Sequence, residues 1–233
     1  MRRGRGQGGL PLSAAQSAAA AQGGHQDHRP LRLGVLISGS GTNLQAIIDR
    51  IAAGTLDAEV AIVISSRPSA LGLKRAEAAG IQTMTLSKDI YADPITADEV
   101  IASTLSSADV DYVIMAGYMR MVHAPILRTF ENRVVNLHPA LLPSFKGAHA
   151  IQDAYDYGVK VTGVTVHFAD DKYDCGPIIA QRALAIDESW SVDELEEHIH
   201  AIEHELYPDT IQLLAEGRVS VRDDGTVAIA PAS

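Results

Sequence analysis

The sequence predicts an α/β fold, in which a mostly parallel central sheet carries helices on both of its faces. Short apolar segments alternate along the chain with segments whose apolar residues recur at helical spacing. The first apolar segment runs directly into a turn of glycine and serine and then into a helix. Repeated units of this kind place parallel strands side by side and put their connecting helices above and below the sheet.

The first half of this fold supplies five of the predicted strands. Strands are predicted over residues 31–37, 60–65, 82–86, 112–116 and 134–138, and helices between them over residues 43–49, 70–79 and 96–107. The fifth strand stops at Pro139, which has no N–H to continue a hydrogen-bonded ladder. Ligands of such sheets bind beyond the carboxyl ends of the strands, so residues 39–43, 116–120 and 136–139 are expected to share one site.

The second half continues with a short helix, two strands and a long helix. The short helix is predicted over residues 151–157, and the strands over residues 162–168 and 178–184. Ser191 and Glu194 form a predicted capping box at the start of the long helix, because each side chain can bond the backbone N–H of the other residue. This helix is expected to run to about Glu216 and to end at Gly217, and a terminal hairpin is predicted over residues 219–229.

The chain divides into a short extension and one domain. Residues 1–30 are expected to be disordered, because they contain few large apolar residues and follow no periodic pattern. Their apolar content is too low for a secretory signal, although an arginine-rich, acid-poor start also resembles an organelle transit peptide. Residues 31–233 are expected to form a single domain, for which a hydrophobic fraction of 46% is sufficient.

The composition argues against several classes of protein. A net charge of −10 repels polyanions and counts against nucleic-acid binding. No apolar run is long enough to span a membrane. Cys175 is the single cysteine, so neither an intramolecular disulfide nor a cysteine-based zinc site can form, and a reducing, cytoplasmic location is expected. No activating pattern surrounds Cys175, which favours an inert thiol over a nucleophile.

The glycine-rich turn at residues 38–42 is a candidate anion site. Such a turn exposes backbone N–H groups at the positive end of a helix, where a phosphate or carboxylate can bind. Leu44 replaces the third glycine of the dinucleotide fingerprint, and no lysine follows to make a nucleotide-triphosphate loop. Neither NAD nor ATP is indicated, and two interpretations are left: a monophosphate site or an ordinary strand-to-helix turn.

Asn136 and His138 are candidate catalytic residues at the end of the fifth strand. Residues separated by one position in a strand point to the same side, so an amide and an imidazole face a common point. Together they could stabilise an oxygen that gains negative charge during a reaction. The alternative is that both side chains only satisfy carbonyl groups of the neighbouring loop.

A metal site is the alternative suggested by the long helix. His200 and His204 lie four residues apart with Glu203 between them. The order of these residues is not that of the zinc motif H-E-x-x-H, and histidines and glutamates on helices are usually solvated. The sequence therefore does not favour a metal.

Five segments share a pattern with a known family. They are Ser-Gly-Ser-Gly-Thr-Asn-Leu-Gln at residues 38–45, Ala-Gly-Tyr-Met-Arg at residues 116–120, Asn-Leu-His-Pro-Ala-Leu-Leu-Pro at residues 136–143, Val-Thr-Val-His-Phe at residues 164–168 and Asp-Cys-Gly-Pro at residues 174–177. In order and spacing they resemble the folate-dependent phosphoribosylglycinamide formyltransferases of purine synthesis. The resemblance runs from Leu31 to about Tyr207 and implies a Rossmann-like formyltransferase fold with residues 31–233 as one catalytic domain.

This resemblance implies a one-carbon transferase. In this family the amine of N1-(5-phospho-D-ribosyl)glycinamide attacks the formyl carbon of the co-substrate 10-formyltetrahydrofolate, and a tetrahedral intermediate then expels the folate N10. Neither a metal nor a covalent enzyme intermediate is required. The implied partners are these two small molecules, with no nucleic acid and no membrane. A homodimer is compatible with the resemblance, which does not fix the number of subunits.

The resemblance also implies catalytic roles. His138 is the general acid that stabilises the oxyanion, and Asn136 is the second donor. Asp174 pairs with His138 and orients the imidazole. Because an opposite charge nearby favours the imidazolium, the pKa of His138 is expected to be raised.

Binding residues are implied in the same way. The 5′-phosphate of the substrate is assigned to Gly41, Thr42 and Asn43, and its ribose or glycinamide part to Glu203. The folate is assigned to Met119, Arg120, Met121, Val122, Asn136, Asp170, Asp171, Lys172, Tyr173 and Asp174. For the two methionines, core packing is the alternative.

One departure concerns the glutamate tail of the folate. The family often carries an arginine after the third strand that reaches this tail, whereas this chain reads Tyr-Ala-Asp-Pro at residues 91–94. Recognition of the tail is therefore left open, with Lys88 as a candidate substitute.

Three alternative functions are compared with the transferase. A formyltetrahydrofolate deformylase uses water in place of the amine, but that family usually carries an N-terminal regulatory domain, for which residues 1–30 are too short. A methionyl-tRNA formyltransferase needs a basic RNA-binding domain, whereas the segment after Gly217 is short and the chain is acidic. A non-catalytic folate or phosphosugar binding module would keep the glycine-rich turn but would not need His138 or Asp174.

Overall fold

The computed structural model describes residues 29–232, which are built on a seven-stranded sheet. Its strands are β1 (Leu31–Ile37), β2 (Ala58–Ser65), β3 (Thr83–Thr85), β4 (Tyr112–Met115), β5 (Val134–His138), β6 (Val161–Phe168) and β7 (Ile178–Ala185). The disorder and the targeting alternative considered for residues 1–30 fall almost entirely outside the described residues.

The sheet has the order β3-β2-β1-β4-β5-β6-β7. Strands β1 to β5 are parallel to one another, whereas β6 is antiparallel to both β5 and β7. The predicted α/β fold with a mostly parallel sheet is therefore confirmed. The chain moves outward from β1 to β3 and then returns to β4 on the other side of β1. Doubly wound sheets bind ligands in the crevice at such a reversal.

Seven helices are described, and they cover both faces of the sheet. They are α1 (Thr42–Ala52), α2 (Leu71–Ala78), α3 (Lys88–Tyr91), α4 (Pro94–Ser107), α5 (Ala124–Thr129), α6 (Ala150–Tyr157) and α7 (Val192–Ala215). In β1, Val35 belongs to a buried cluster that contains Leu44 of α1 and Ile199 of α7. Its neighbour Leu36 belongs to a second cluster, which contains Ile101 of α4. Successive side chains of a strand point to opposite faces, so the two clusters lie on opposite sides of the sheet.

Side-chain caps determine where the two longest helices begin. The Ser191 hydroxyl accepts the Glu194 N–H at 3.3 Å, and the Glu194 carboxylate accepts the Ser191 N–H at 2.7 Å. The predicted capping box is thus confirmed. Helix α4 begins two residues before its predicted start, because Asp93 accepts the N–H groups of Ile95 and Thr96 and a proline is well tolerated in the first turn of a helix.

Tyr207 attaches α7 to the centre of the sheet. Its side chain is fully buried, and its hydroxyl lies 2.9 Å from the carbonyl of Val135 and 3.2 Å from that of Met115. The two carbonyl groups belong to β5 and β4, so one side chain joins the helix to two adjacent strands. Helix α7 continues through Pro208 and ends at Ala215, close to its predicted end.

The sequence does not predict α3 or α5. These helices contain four and six residues, fewer than two turns, and so show no helical periodicity. The predicted terminal hairpin is present as β8 (Val219–Val221) and β9 (Val227–Ile229). Within residues 29–232, none of the helices combines the length and apolar character that crossing a membrane requires.

Gly163 gives a test of the antiparallel part of the sheet. A Cβ atom at this position would lie 2.1 Å from the carbonyl oxygen of Arg182 on β7. Gly163→Ala is therefore expected to lower the free energy of unfolding by about 1–3 kcal/mol, as overpacking does elsewhere, measured by urea denaturation. Gly39→Ala is the control, since its added Cβ meets nothing within 4 Å. Equal stability of the two variants would contradict the β6–β7 packing.

Candidate active site

A cleft of about 790 Å³ lies at the carboxyl ends of β1, β4 and β5. Residues 38–43, 115–122 and 136–139 line it, so the structure brings together the three segments that the sequence predicts to share a site. The lining also includes Arg67, residues 147–152, His167, the loop before β7 and the first half of α7. All of the sequence-predicted site residues except Asp171 line this cleft.

The glycine-rich turn forms one end of the cleft. Gly41 caps α1 in the left-handed conformation, with φ 71°, and a Cβ atom there would lie 2.5 Å from the Cα of Gly72. Only glycine fits both constraints. Thr42 and Asn43 begin the helix, whose first turn contains no acidic residue. No side chain from residues 29–232 caps this end of the helix, so its first backbone N–H groups can face an anion.

Glu203 of α7 joins this end of the cleft. The carboxylate accepts the side-chain N–H of Asn43 at 2.9 Å, and the residue is 5% exposed. Burial raises the pKa of Glu203, although the bond from Asn43 and the nearby His200 lower it in part. The Oδ1 atom of Asn43 is buried without a hydrogen-bond partner among the described residues.

The buried imidazole of His138 lies between two acceptors. Its Nδ1 atom is 3.5 Å from Oδ2 of Asp174, and its Nε2–H donates to the carbonyl oxygen of Phe145 at 2.7 Å. Phe145 has φ 50°, a conformation that costs a residue other than glycine about 1–2 kcal/mol. A ring that carries a proton on each nitrogen would satisfy both acceptors.

The carboxylate of Asp174 is shared by three groups. Its Oδ2 atom accepts the N–H of Gly147 at 2.8 Å, and its Oδ1 atom lies 3.7 Å from Nε2 of His167. Burial alone would raise the pKa of Asp174, but His167, the Gly147 N–H and His138 together lower it below its ordinary value. The carboxylate is therefore held in its charged form.

The expectation of a raised pKa for His138 is wrong. Burial lowers the pKa of this imidazole, and the attraction of Asp174 and the bond to the Phe145 carbonyl offset only part of that effect. The nearby His167 adds to the lowering. The sequence pattern identifies the charged partner but does not show how much water the ring loses on folding.

His167 is a site residue whose role the sequence does not predict. It pairs directly with Asn136 across β5 and β6, and the amide N–H of Asn136 lies 3.2 Å from its Nε2 atom. Its Nδ1–H donates to the Phe168 carbonyl at 2.8 Å, and its Nε2 atom faces both the Asn136 amide and the Asp174 carboxylate. The signal in the sequence was a single ionisable residue in a strand of valine, threonine, glycine and phenylalanine.

The segment after β4 forms the opposite wall of the cleft. Its position is set by Ser38, whose hydroxyl accepts the N–H of Met119 at 2.8 Å. Met119 is 68% exposed and lines the cleft, which argues against the alternative of core packing for this methionine. Met121 and Val122 also line the cleft, and Val122 is buried. Arg120 lies over the ring of Tyr91, 4.1 Å from its centre.

The acidic loop before β7 closes the cleft near Asp174. Asp170, Lys172 and Tyr173 line the cleft, and the Lys172 N–H donates to the Asp170 carboxylate at 2.9 Å. Asp171 is exposed and does not line it, so the structure does not place this predicted folate residue in the site.

A smaller cavity of about 400 Å³ adjoins the cleft. The two share Tyr118, Arg120, Met121 and Tyr173. His123 and Asp98 line only the smaller cavity, where Nδ1 of His123 lies 3.0 Å from the buried Asp98 carboxylate. Lys88, the candidate for binding the folate tail, lines neither cavity.

The histidines of α7 are not arranged as a metal site. The rings of His200 and His204 lie 6.3 Å apart, and Nε2 of His200 is 3.8 Å from Glu196. Glu203 bonds Asn43 instead of joining the histidines. Among residues 29–232, no group of three or more histidine, cysteine, aspartate or glutamate side chains could hold a metal ion.

A family model described as "Formyl transferase" matches residues 31–211. The chain is also 38% identical over 201 residues to the trifunctional purine biosynthetic protein adenosine-3 of Homo sapiens. That match covers 86% of this chain but 20% of the human protein, so the chain spans about a fifth of the length of this relative. A second match covers 78% of this chain and 94% of the phosphoribosylglycinamide formyltransferase of Bacillus subtilis, at 37% identity.

Solved structures show the same similarity. The crystal structure of glycinamide ribonucleotide transformylase 1 from Symbiobacterium toebii superposes with a TM-score of 0.84 at 45% identity, over 88% of this chain and 96% of that chain. A phosphoribosylglycinamide formyltransferase from Coxiella burnetii superposes with a TM-score of 0.82 at 35% identity, over 86% and 94% of the two chains.

The burial of His138 predicts that its imidazole has a lowered pKa. We expect NMR titration of its ring to give a pKa below the ordinary 6.5, because burial disfavours the imidazolium. In Asp174→Asn the pKa should fall further, since the carboxylate that favours the charged ring is lost while burial remains. Asp156→Asn, on the exposed side of α6, is the control and should leave the pKa of His138 unchanged. An ordinary or raised value in the unaltered protein would show that burial does not outweigh the charge of Asp174.

Proposed function

Because the chain belongs to the formyl transferase family, we propose that it transfers the formyl group of 10-formyltetrahydrofolate to the amine of N1-(5-phospho-D-ribosyl)glycinamide. The products are tetrahydrofolate and the formylated glycinamide of purine biosynthesis. One observation carries the proposal. The Asn136, His138 and Asp174 side chains line a single cleft together with a helix N-terminus suited to a phosphate and an exposed methionine wall suited to a flat ring.

The sugar phosphate is proposed to bind at the glycine-rich turn. Gly41, Thr42 and Asn43 present the N-terminus of α1, where N–H groups and the helix dipole favour an anion. Glu203 lies beside this end and accepts from Asn43. Its carboxylate and the unpaired Oδ1 of Asn43 are acceptors for the hydroxyl or amide N–H groups of the ribosyl glycinamide.

The folate is proposed to bind along the opposite wall. An exposed thioether and an exposed phenol, from Met119 and Tyr173, offer polarisable surface to a pterin ring. The backbone of residues 170–174 and the carboxamide of Asn136 supply polar groups near the formyl carbon. Asp171 is left out of this proposal because it does not belong to the cleft lining.

A residue other than Lys88 is proposed to bind the glutamate tail of the folate. Arg120 lines both the cleft and the adjoining cavity, which His123 also lines. A guanidinium at this junction can pair with a carboxylate that leaves the cleft. Tyr91 and Pro94, from the stretch 91–94 where the family often has an arginine, line the same cavity. We therefore propose that the tail passes over Arg120.

His138 and Asn136 are proposed to act on the formyl oxygen. Attack by the amine forms a carbon–nitrogen bond and moves the carbonyl π electrons to oxygen, and collapse of the intermediate breaks the bond to N10. The second amide N–H of Asn136 has no partner among the described residues and is available as a donor to this oxygen. His138 stabilises the developing charge through its Nε2–H, which leaves the Phe145 carbonyl and donates to the formyl oxygen.

The lowered pKa of His138 is consistent with this role. In the intermediate the imidazolium would face two negative groups, the Asp174 carboxylate and the oxyanion, whereas beforehand it faces only the first. Attraction between the ring's charge and the oxygen is therefore gained mainly in the transition state, where it accelerates the reaction. For the overall balance, the attacking amine loses one proton and the leaving N10 gains one.

The reaction is tested by mixing the purified protein with 10-formyltetrahydrofolate in the presence and absence of the glycinamide substrate. Loss of the formyl group that depends on the amine supports the transferase. Loss at the same rate in water alone would identify the deformylase alternative. Binding of both compounds without formyl loss would identify a non-catalytic module.

Removing the imidazole should lower the rate far more than it weakens binding. His138→Ala is expected to lower kcat by about 100-fold or more with small changes in KM, as for a group that acts in the transition state. His198→Ala is the matched control, since His198 is exposed on α7 and does not line the cleft. Steady-state kinetics with both substrates provide the measurement. A near-normal kcat for His138→Ala would remove His138 from the mechanism.

A further inference from the structure

We propose that the guanidinium group of Arg67 pairs with the phosphate of the substrate and sets the preference for a phosphorylated ribosyl glycinamide. This inference rests on the proposed function and adds to it a residue that neither the sequence pattern nor the glycine-rich turn indicates.

A phosphate bound at the glycine-rich end of the cleft would require a positively charged side chain to balance its charge. A phosphate monoester carries about −1.5 to −2 charges at neutral pH, whereas a helix N-terminus is equivalent to about +0.5 charge. Residues 42–49 at the start of α1 contain no basic side chain. Glu196 and Glu203 line the same cleft from α7, and their carboxyl groups oppose a second anion. The helix terminus alone therefore leaves most of the phosphate charge unbalanced.

Arg67 lies beside the glycine-rich turn. It follows β2, the parallel neighbour of β1, and it lines the cleft together with residues 38–43. The residue before it, Ser66, donates its N–H to the carbonyl of Ile37 at 3.0 Å, and its hydroxyl lies 2.6 Å from that of Ser38. The loops that follow β1 and β2 are thus held against each other, and Arg67 comes immediately after these contacts.

Hydrogen bonds fix the backbone of Arg67, whereas its guanidinium has no hydrogen-bond partner among residues 29–232. Its N–H donates to the Ser65 hydroxyl at 3.1 Å, and that hydroxyl lies 2.8 Å from the Arg67 carbonyl. No residue from 29 to 232 forms a hydrogen bond or ion pair with the guanidinium. Two other arginines near the cleft have other contacts or proposed roles, because Arg75 donates to the Ser40 carbonyl at 2.9 Å and Arg120 lies over Tyr91, where it is proposed to meet the folate tail.

Position and chemistry both suit a phosphate. In doubly wound sheets the end of the second strand lies next to the first glycine-rich turn, where an arginine can accommodate a phosphate group of a bound ligand. The planar guanidinium matches two phosphate oxygens at once. Among the other basic groups of the lining, His200 already faces Glu196 at 3.8 Å. Lys172 belongs to the loop of Asp174, at the reaction centre instead of the sugar end.

Kinetics with two substrates test this pairing. In Arg67→Ala, kcat/KM for the phosphorylated substrate should fall about 10- to 100-fold, through KM, as for the loss of charge-assisted hydrogen bonds. For the same compound without its phosphate, N1-ribosylglycinamide, kcat/KM should be unchanged, because the lost contact is made only by the phosphate. Arg67→Lys should recover part of the loss. Arg128→Ala, an exposed arginine on α5 outside the cleft, is the matched control and should change neither value.

Two outcomes would overturn the role of Arg67. Equal losses with and without the phosphate would show a general effect on the cleft, and unchanged kinetics with both compounds would show no contact. Should the unaltered protein formylate neither compound, the proposed function fails, and calorimetry with ribose 5-phosphate decides the inference separately. Weaker binding of this probe by Arg67→Ala than by the unaltered protein supports the pairing, whereas equal affinity or no binding contradicts it.

Discussion

The carboxylate of Asp174 connects three separate segments of the chain at the proposed reaction centre. Its two oxygens face the N–H of Gly147, the imidazole of His138 and the imidazole of His167. These groups come from the loop before α6, the end of β5 and the end of β6. An unpaired charge in this buried place would be costly, so each partner stabilises the charge and the charge in turn orients each partner.

Burial and charge act in opposite directions on His138, and the balance between them suits the proposed chemistry. Burial lowers the pKa of the ring, so its imidazolium form is the stronger acid and donates its proton more readily to an oxygen that becomes negative. Asp174 and the carbonyl of Phe145 already hold the ring in place before this charge develops. The interaction between the His138 ring and the oxyanion is therefore gained in the intermediate, not in the ground state.

The order of the strands determines where each binding region lies along the cleft. Strand β1 leads to the anion site at Gly41, β4 leads to the wall at Met119, and β5 ends at His138. Because these strands are parallel neighbours, their carboxyl ends lie side by side and place the three regions in a row. Helix α7, tied to β4 and β5 through Tyr207, brings Glu203 to the same edge.

Local patterns in the sequence determined most of the fold: the alternation of strands and helices, the glycine-rich turn, the stop at Pro139 and the cap at Ser191. Each depends on the conformations and contacts of residues a few positions apart, which the sequence displays directly. The contacts of Asp174 with His167 and Gly147, the pairing of Asn136 with His167 and the direction of the pKa shift of His138 were decided by tertiary structure. Tertiary structure also placed Arg67 in the cleft lining beside the glycine-rich turn. Distances between remote segments and the loss of water around a side chain depend on how the whole chain packs, and no local pattern records them.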